Sequence, residues 1–387
     1  MSHVERALAQ ALSIADLRAI ARRRLPRAVF DFIDGGAEDE VSLRENRAAF
    51  ERVRLLPRVL NDVSNPSLAT TLAGKPTAAP IVVAPMGSCV LAWPQADIAI
   101  ARAAAALGIP YTLSTMSTTS IERMAAAVQG ELWFQLYVLK EREFNDKLVA
   151  RAQAAGYGAL VVTVDLPAGG KRERDLRNGI TVPLRLHLRQ VLGAMTHPRW
   201  AFQMLRSGLP QFENVRGYMG RENSANLTIA AMVGQSLDAA FGWEDLARLR
   251  ERWKGRLWVK GVEHPADAAR LAQIGVDGIW VSNHGGRQLD GAAAPAEALP
   301  AIAAALGARA SILVDSGVRR GVDILKAAVL GAQAVAIGRG VLYGAAAGGE
   351  AGARRALQIL VDELRLAMML SGVRSFGDAA RDLPRLQ

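Results

Sequence analysis

The chain has 387 residues, half of them hydrophobic, with 47 Lys and Arg against 37 Asp and Glu and a net charge of +10. That hydrophobic fraction excludes wholesale disorder, and the length suits either two or three ordinary domains or one α/β barrel. The positive balance favours an anionic ligand, an acidic membrane surface or nucleic acid, and is silent on fold. The one cysteine, Cys89, excludes a disulfide framework and a Cys-rich zinc site, and it fits a reducing, cytoplasmic compartment. Charges run throughout the first thirty residues, which therefore do not read as a secretory leader.

In chain order, a helical extension is expected over 1–77. Ser13 followed by Asp16 predicts a capped helix ending near Arg24. Pro26 opens a second helix through Phe32, and Gly35-Gly36 stops it. The longest uncharged stretch lies between Lys75 and Asp97. Pro76, Pro80, Pro85 and Pro94 break it, so it reads as a buried strand with its loops, not a membrane helix.

A repeat follows: a short apolar run, a turn, then an Ala-rich amphipathic stretch. The runs are 80–84, 110–113, 132–136, 159–163, 256–260, 278–281, 311–314 and 334–337, with helices expected at 95–107, 143–155, 265–274 and 321–329 among others. Eight strand–helix units predict an α/β fold of the (β/α)8 TIM-barrel type, read as a single domain over 1–387. A doubly wound sheet is the rival, but no Gly-x-Gly-x-x-Gly follows the first run. One long insertion, 166–243, breaks the rhythm after the fourth strand. Lys171 to Arg221 holds ten Lys/Arg and three Asp/Glu, a net of +7, with Leu184, Leu186, Leu188, Val191, Leu192, Trp200, Phe202, Met204 and Leu205 among them. Basic and apolar together predict peripheral membrane contact through 184–220; a solvated loop is the alternative.

Chemistry in such a barrel sits at the C-terminal ends of the strands. Those ends carry Pro85-Met86-Gly87, Ser114, Gln135 with Tyr137, Thr163 with Asp165, Lys260, Ser282 to Arg287, Asp315 to Arg319, and Gly338-Arg339. Gly317, Arg319, Gly338 and Arg339 suit a phosphate: small residues let backbone N–H groups approach, and arginine neutralises the charge. His284 titrates near working pH and is the candidate base.

The run SNHGGRQLD (282–290), with FQLYV (134–138), TVD (163–165), VKG (259–261), DSGVRRG (315–321) and AIGR (336–339), resembles the FMN-dependent 2-hydroxy acid oxidase/dehydrogenase family. The resemblance runs from LPRAVFDFIDGGAEDE (25–40) to MLSGVRS (369–375), and the segments around 91–104 and 131–138 lean toward its mandelate and lactate dehydrogenase branch. It implies FMN as cofactor, a small 2-hydroxy acid as substrate, a quinone or other electron acceptor, and a homo-oligomer, a tetramer by family likeness. It gives His284 the substrate proton, Asp165 the imidazole, Arg287 and Arg172 the substrate carboxylate, and Tyr137 the carboxylate or hydroxyl. It sets Lys260 by flavin N1. Pro85, Met86, Gly87, Ser114, Gln135, Thr163 and Ser282 would surround the flavin, Asp315 the ribityl hydroxyls, and Gly317, Arg319, Gly338 and Arg339 the phosphate.

Three departures stand out. Phe32 replaces the family's usual substrate-binding tyrosine, and Met86 a common threonine. Met116 stands where glycolate oxidase-like members have tryptophan. With Ala168, Gly169 and Gly170, Met116 predicts a roomy pocket for a bulky, mandelate-like substrate. Gly87, where oxygen-using members often have alanine, leans toward a dehydrogenase over a peroxide-forming oxidase. A nucleic-acid-binding module is disfavoured for want of a recognised motif, and an aldolase-type barrel would need Lys260 as a Schiff-base amine.

Overall fold

The computed structural model describes residues 3–179, 181–182, 195–207, 211–216, 218 and 227–383. Four helices lead: α1 (His3–Gln10), α2 (Ile14–Arg24), α3 (Arg27–Asp34) and α4 (Val41–Arg52). Ser13 caps α2 by accepting from the Asp16 N–H, and Gly35 follows the last residue of α3. The helical extension ends at Arg52. Residues 70–77 form instead a small hairpin of β1 (Thr70–Leu72) and β2 (Lys75–Thr77), whose Leu72 joins the side chains filling the barrel.

Four barrel strands follow, β3 (Ile81–Val83), β4 (Tyr111–Ser114), β5 (Leu132–Tyr137) and β6 (Ala159–Thr163). A two-stranded ribbon, β7 (Thr181–Val182) with β8 (Leu227–Thr228), lies in the insertion. The barrel closes with β9 (Arg256–Lys260), β10 (Gly278–Val281), β11 (Ser311–Val314) and β12 (Ala334–Ile337), in the order β10-β11-β12-β3-β4-β5-β6-β9. Every predicted apolar run is one of these strands. Side chains alternate along each: Val82, Trp133, Val161, Trp258, Trp280 and Leu313 fill the interior, while Ile81, Phe134, Leu160, Val259 and Ile279 pack against the helices. The register sets Thr163 beside Lys260 and Lys260 beside Trp280, which brings the polar strand ends onto one rim.

The insertion is more structured than a loop. Helix Pro198–Ser207 docks through Trp200, whose indole N–H donates to the Leu91 carbonyl at 2.8 Å. Asn214 is buried and accepts from the Ile121 N–H at 2.9 Å, while Val215 is fully buried. Leu184, Leu186, Leu188, Val191 and Leu192 lie outside the described residues.

Candidate active site

Three consecutive residues past β10 are left-handed: His284 (φ 57), Gly285 (φ 69) and Gly286 (φ 70). That conformation is costly for a residue with a Cβ, and it lifts the imidazole off the strand line into the mouth. The Ser282 hydroxyl oxygen anchors the turn by accepting from the His284 N–H at 3.0 Å. His284 Nδ1 lies 3.0 Å from Asp165 Oδ1, and Nε2 lies 3.3 Å from the Tyr137 hydroxyl. Burial pushes the imidazole below its ordinary pKa; Asp165 opposes this, and Lys260 and Arg172 add to it. That shift favours the neutral ring. With Asp165 taking the Nδ1–H, Nε2 presents its lone pair.

Asp165 stays a carboxylate. Burial pushes its pKa up, but Lys260 and His284 together outweigh that and hold it below the usual value. Lys260 is also buried, and Asp165 and Asp315 outweigh the burial and hold its ammonium above the usual value. Its Nζ donates to Ser282 Oγ at 2.7 Å and stands 3.6 Å from both Asp165 Oδ2 and Asp315 Oδ2. Asp315 in turn accepts from Trp280 Nε1 at 3.0 Å and from Ser316 Oγ at 2.7 Å. Tyr137 keeps its proton; burial pushes it up to about 12.

Two guanidiniums complete the mouth without a carboxylate within ion-pair distance among the described residues. Arg287 donates to the Gly35 carbonyl at 2.8 Å and stands 5.5 Å over the Phe32 ring. Arg172 reaches only the Arg287 carbonyl at 3.4 Å and Gln288 Oε1 at 3.5 Å. Burial, then the neighbouring Arg172, pushes Arg287 down to about 9. Buried Asp175 offsets both charges from beyond ion-pair distance but does not outweigh their burial, and an anionic ligand would supply the rest.

One cavity gathers most of the expected residues. Phe32, Tyr137, Arg172, His284 and Arg287 line one part. Pro85, Met86, Gly87, Ser114, Thr163 and Lys260 line another, and Asp315, Gly317, Arg319, Gly338 and Arg339 a third. Asp165, Gln135 and Ser282 stand behind this wall, holding the groups that form it. Three polar atoms here are buried without a hydrogen-bond partner: Gln135 Nε2, Thr163 Oγ1 and Asp165 Oδ2. A Cβ on Gly338 would meet nothing nearer than Met86 Sδ at 3.7 Å, so its missing side chain leaves usable space. The backbone N–H groups opening the helix that starts at Arg339 are ready for an anion. This donor set fits FMN: unpartnered polar groups for a flavin's polar edge, a buried ammonium for an electron-rich ring, and a helix start with Arg319 for a phosphate.

Several of these residues also have structural roles. The Arg339 guanidinium donates to the carbonyls of Ile33 (3.0 Å), Gly285 (2.9 Å) and Gly35 (2.7 Å), so it ties the N-terminal segment to the His284 turn. A Cβ on Gly317 would lie 1.9 Å from the Asn46 carbonyl oxygen, so α4 demands that glycine. A Cβ on Gly87 would lie 3.1 Å from both Cβ and O of Met116, a packing reason that stands apart from any acceptor. Ala168, Gly169 and Gly170 do not line the cavity. A Cβ on Gly170 would lie 2.3 Å from the Arg287 carbonyl oxygen, and one on Gly234 would lie 2.3 Å from the Gly169 nitrogen, so close backbone packing demands Gly170 and Gly234. Met116 does line it.

The sequence reading missed Leu166, Val233, Ser316 and Leu342, which also line the cavity. Val233 comes from helix Ile229–Ser236 in the insertion, and no local pattern marks it. It also missed Glu263, three residues past Lys260. Burial first, then Asp165 and Asp315, pushes its carboxyl up to about 7, and its Oε1 is buried without a partner.

An α/β barrel with a buried base, a buried ammonium and two guanidiniums at its mouth defines an enzyme-type site for an anionic substrate. The FMN-dependent dehydrogenase family matches residues 21–385, and the chain belongs to that family. An L-lactate dehydrogenase of Pectobacterium atrosepticum is 44% identical over 368 residues, covering 95% of each chain. One from Pseudomonas aeruginosa is 43% identical over 368 residues, covering 95% of this chain and 96% of its own. Among solved structures, an (S)-mandelate dehydrogenase described as a monotopic membrane protein superposes with a TM-score of 0.91 at 40% identity, covering 97% of this chain and 99% of its own. A mandelate oxidase solved with (S)-4-hydroxymandelic acid gives 0.86 at 38% identity, covering 97% and 99%.

Proposed function

We propose that the chain oxidises an (S)-2-hydroxy acid with an apolar, mandelate-like side chain at a membrane surface, passing the electrons to a quinone or similar acceptor. At the coarser level it is an FMN-dependent 2-hydroxy acid dehydrogenase. The observation that carries the reading is the proximity of His284 Nε2 to two guanidiniums, Arg172 and Arg287, that have no carboxylate within ion-pair distance among the described residues. The substrate carboxylate satisfies both cations, which sets its hydroxyl and Cα against the imidazole. His284 Nε2 accepts a proton, from the hydroxyl in a hydride route or from Cα in a carbanion route. The Asp165 carboxylate stabilises the imidazolium so formed. FMN, when bound, supplies the two-electron sink, and Lys260 the positive charge beside it.

Met86, Met116, Leu166, Val233 and Leu342 give the cavity apolar walls, which favour a substituent larger than methyl. Steady-state dye-linked rates with (S)-mandelate and L-lactate test this; a clear preference for lactate refutes it. Peroxide formed per turnover separates the dehydrogenase from an oxygen-using oxidase, and low yield is expected.

Among the described residues no helix is long and apolar enough to cross a membrane. The helix Pro198–Ser207 instead exposes Phe202 (59%) and Leu205 (82%) on one face between Arg199 and Arg206, which supports shallow peripheral contact. Removal of 184–220 would also remove buried Asn214 and Val215, so the informative deletion stops before Gln211. It should leave a yellow, active protein that no longer sediments with anionic vesicles; unchanged sedimentation refutes the membrane role. Exposed Val59, Leu60 and Leu370 offer a surface for a second copy of the chain, which light scattering would read directly.

A further inference from the structure

Three tryptophans fill the barrel interior: Trp133, Trp258 and Trp280. Trp133 and Trp258 stack on each other, centroids 5.3 Å apart and planes 22° apart. Trp280 is tied to the active site. Its indole N–H donates to Asp315 Oδ2 at 3.0 Å, and its ring lies 5.9 Å from Lys260 Nζ. Trp280 is 0% exposed, Lys260 4% and Asp315 7%, so water screens none of these contacts.

One carboxylate oxygen is therefore shared. Asp315 Oδ2 takes the indole N–H at 3.0 Å and faces the Lys260 ammonium at 3.6 Å. Asp315 Oδ1 keeps the Ser316 hydroxyl at 2.7 Å, but a buried carboxylate oxygen such as Oδ2 that loses its neutral donor closes onto the nearest cation, because charge-assisted hydrogen bonds are shorter and stronger. Lys260 has one close partner, the neutral Ser282 hydroxyl at 2.7 Å, and both its carboxylates stand back at 3.6 Å. Its charge is thus only partly compensated, beside a cavity that fits a flavin.

We propose that Trp280 is a positioning residue: its indole N–H holds Asp315 away from Lys260 so that the ammonium keeps its field for the cofactor. The inference rests on the FMN-dependent reading and adds a residue to it. Loss of the N–H lets Asp315 move onto Lys260, which neutralises the ammonium and disfavours the reduced, electron-rich ring relative to the oxidised one.

The test is the flavin midpoint potential of the FMN-loaded full chain, followed spectroelectrochemically. Trp280→Phe removes the N–H. Replacement of Trp280 by 3-benzothienylalanine removes it while keeping the ring's size, and this variant decides if the phenylalanine protein does not fold. Trp258→Phe is the control, because Trp258 is equally buried and its Nε1 has no partner among the described residues. Both changes at position 280 should lower the reduced-to-oxidised ratio at a fixed potential about tenfold, equivalent to a fall of about 30 mV for a two-electron couple. Trp258→Phe should not move it. Unmoved potentials at position 280, or an equal shift in Trp258→Phe, overturn the proposal. A parent chain that takes up no FMN overturns the functional reading and this inference together, whereas uptake with unmoved potentials overturns this inference alone.

Discussion

The two ends of the barrel treat charge in opposite ways. At the floor, Glu131 is paired with Lys75 and Arg256 and accepts from the Trp133 indole at 2.9 Å. Lys75 and Arg256 each have this carboxylate. At the mouth, Arg172 and Arg287 have none within ion-pair distance among the described residues, Asp165 Oδ2 and Gln135 Nε2 lack hydrogen-bond partners, and His284 and Ser316 sit at φ 57 and 70. A native fold tolerates such a concentration of deficits only where something else resolves them. The floor's polar groups serve stability; the mouth's serve a ligand.

That contrast predicts different responses to mutation. The largest effect is expected from His284→Ala, which removes the base. Turnover should fall about 100- to 10,000-fold while FMN stays bound and the protein stays folded. Arg287→Met should lower kcat/KM by roughly 2–5 kcal/mol, since the substrate carboxylate loses a buried partner. The same change should not lower the Tm of the FMN-free protein, because a cation already pushed down to about 9 by burial and Arg172 is relieved. Glu131→Gln should do the reverse: a stability loss of about 3 kcal/mol with KM unchanged. A KM shift in Glu131→Gln, or a Tm collapse in Arg287→Met, would break the division between floor and mouth.

Smaller effects sharpen it. Glu263 has a folded-state pKa raised from 4.5 to about 7, so its protonated form is favoured by folding. Its stability contribution is present in full below the unfolded value and is lost as pH rises through about 7. Glu263→Gln should therefore match the parent's Tm near about pH 4 and exceed it by about 2 °C near about pH 8.5, as thermal scans at the two pH values would show. Phe32→Tyr should raise kcat/KM about 2- to 10-fold, the 0.5–1.5 kcal/mol of one hydrogen bond to the carboxylate. No gain would mean that the Arg287–Phe32 stack has replaced the hydroxyl outright.

The parts legible in the sequence were those with a local signal. Strands β3 and β12 read as apolar runs because a barrel strand is buried on both faces. Helices at 265–274 and 321–329 read from amphipathic spacing. The rim residues read because each ends its strand. What stayed hidden depended on distant chain. The hairpin at 70–77 has strands of three residues, too short for a period. Val233 enters the cavity from an insertion whose path no pattern fixes. Gly87 and Gly317 line the cavity as the sequence suggests, and Met116 and the Asn46 carbonyl add a packing reason for glycine that no local pattern shows. At Gly170, likewise, smallness reflects the Arg287 carbonyl pressed against it instead of an open pocket.

The central claim is that a neutral imidazole and two guanidiniums await one anion of defined handedness. Anaerobic mixing of the FMN-loaded protein with (S)-mandelate, and separately with its mirror image, tests it in one step. Rapid bleaching of the flavin colour by the S form alone is the predicted result. Persistent colour with (S)-mandelate, L-lactate and their homologues alike would contradict it.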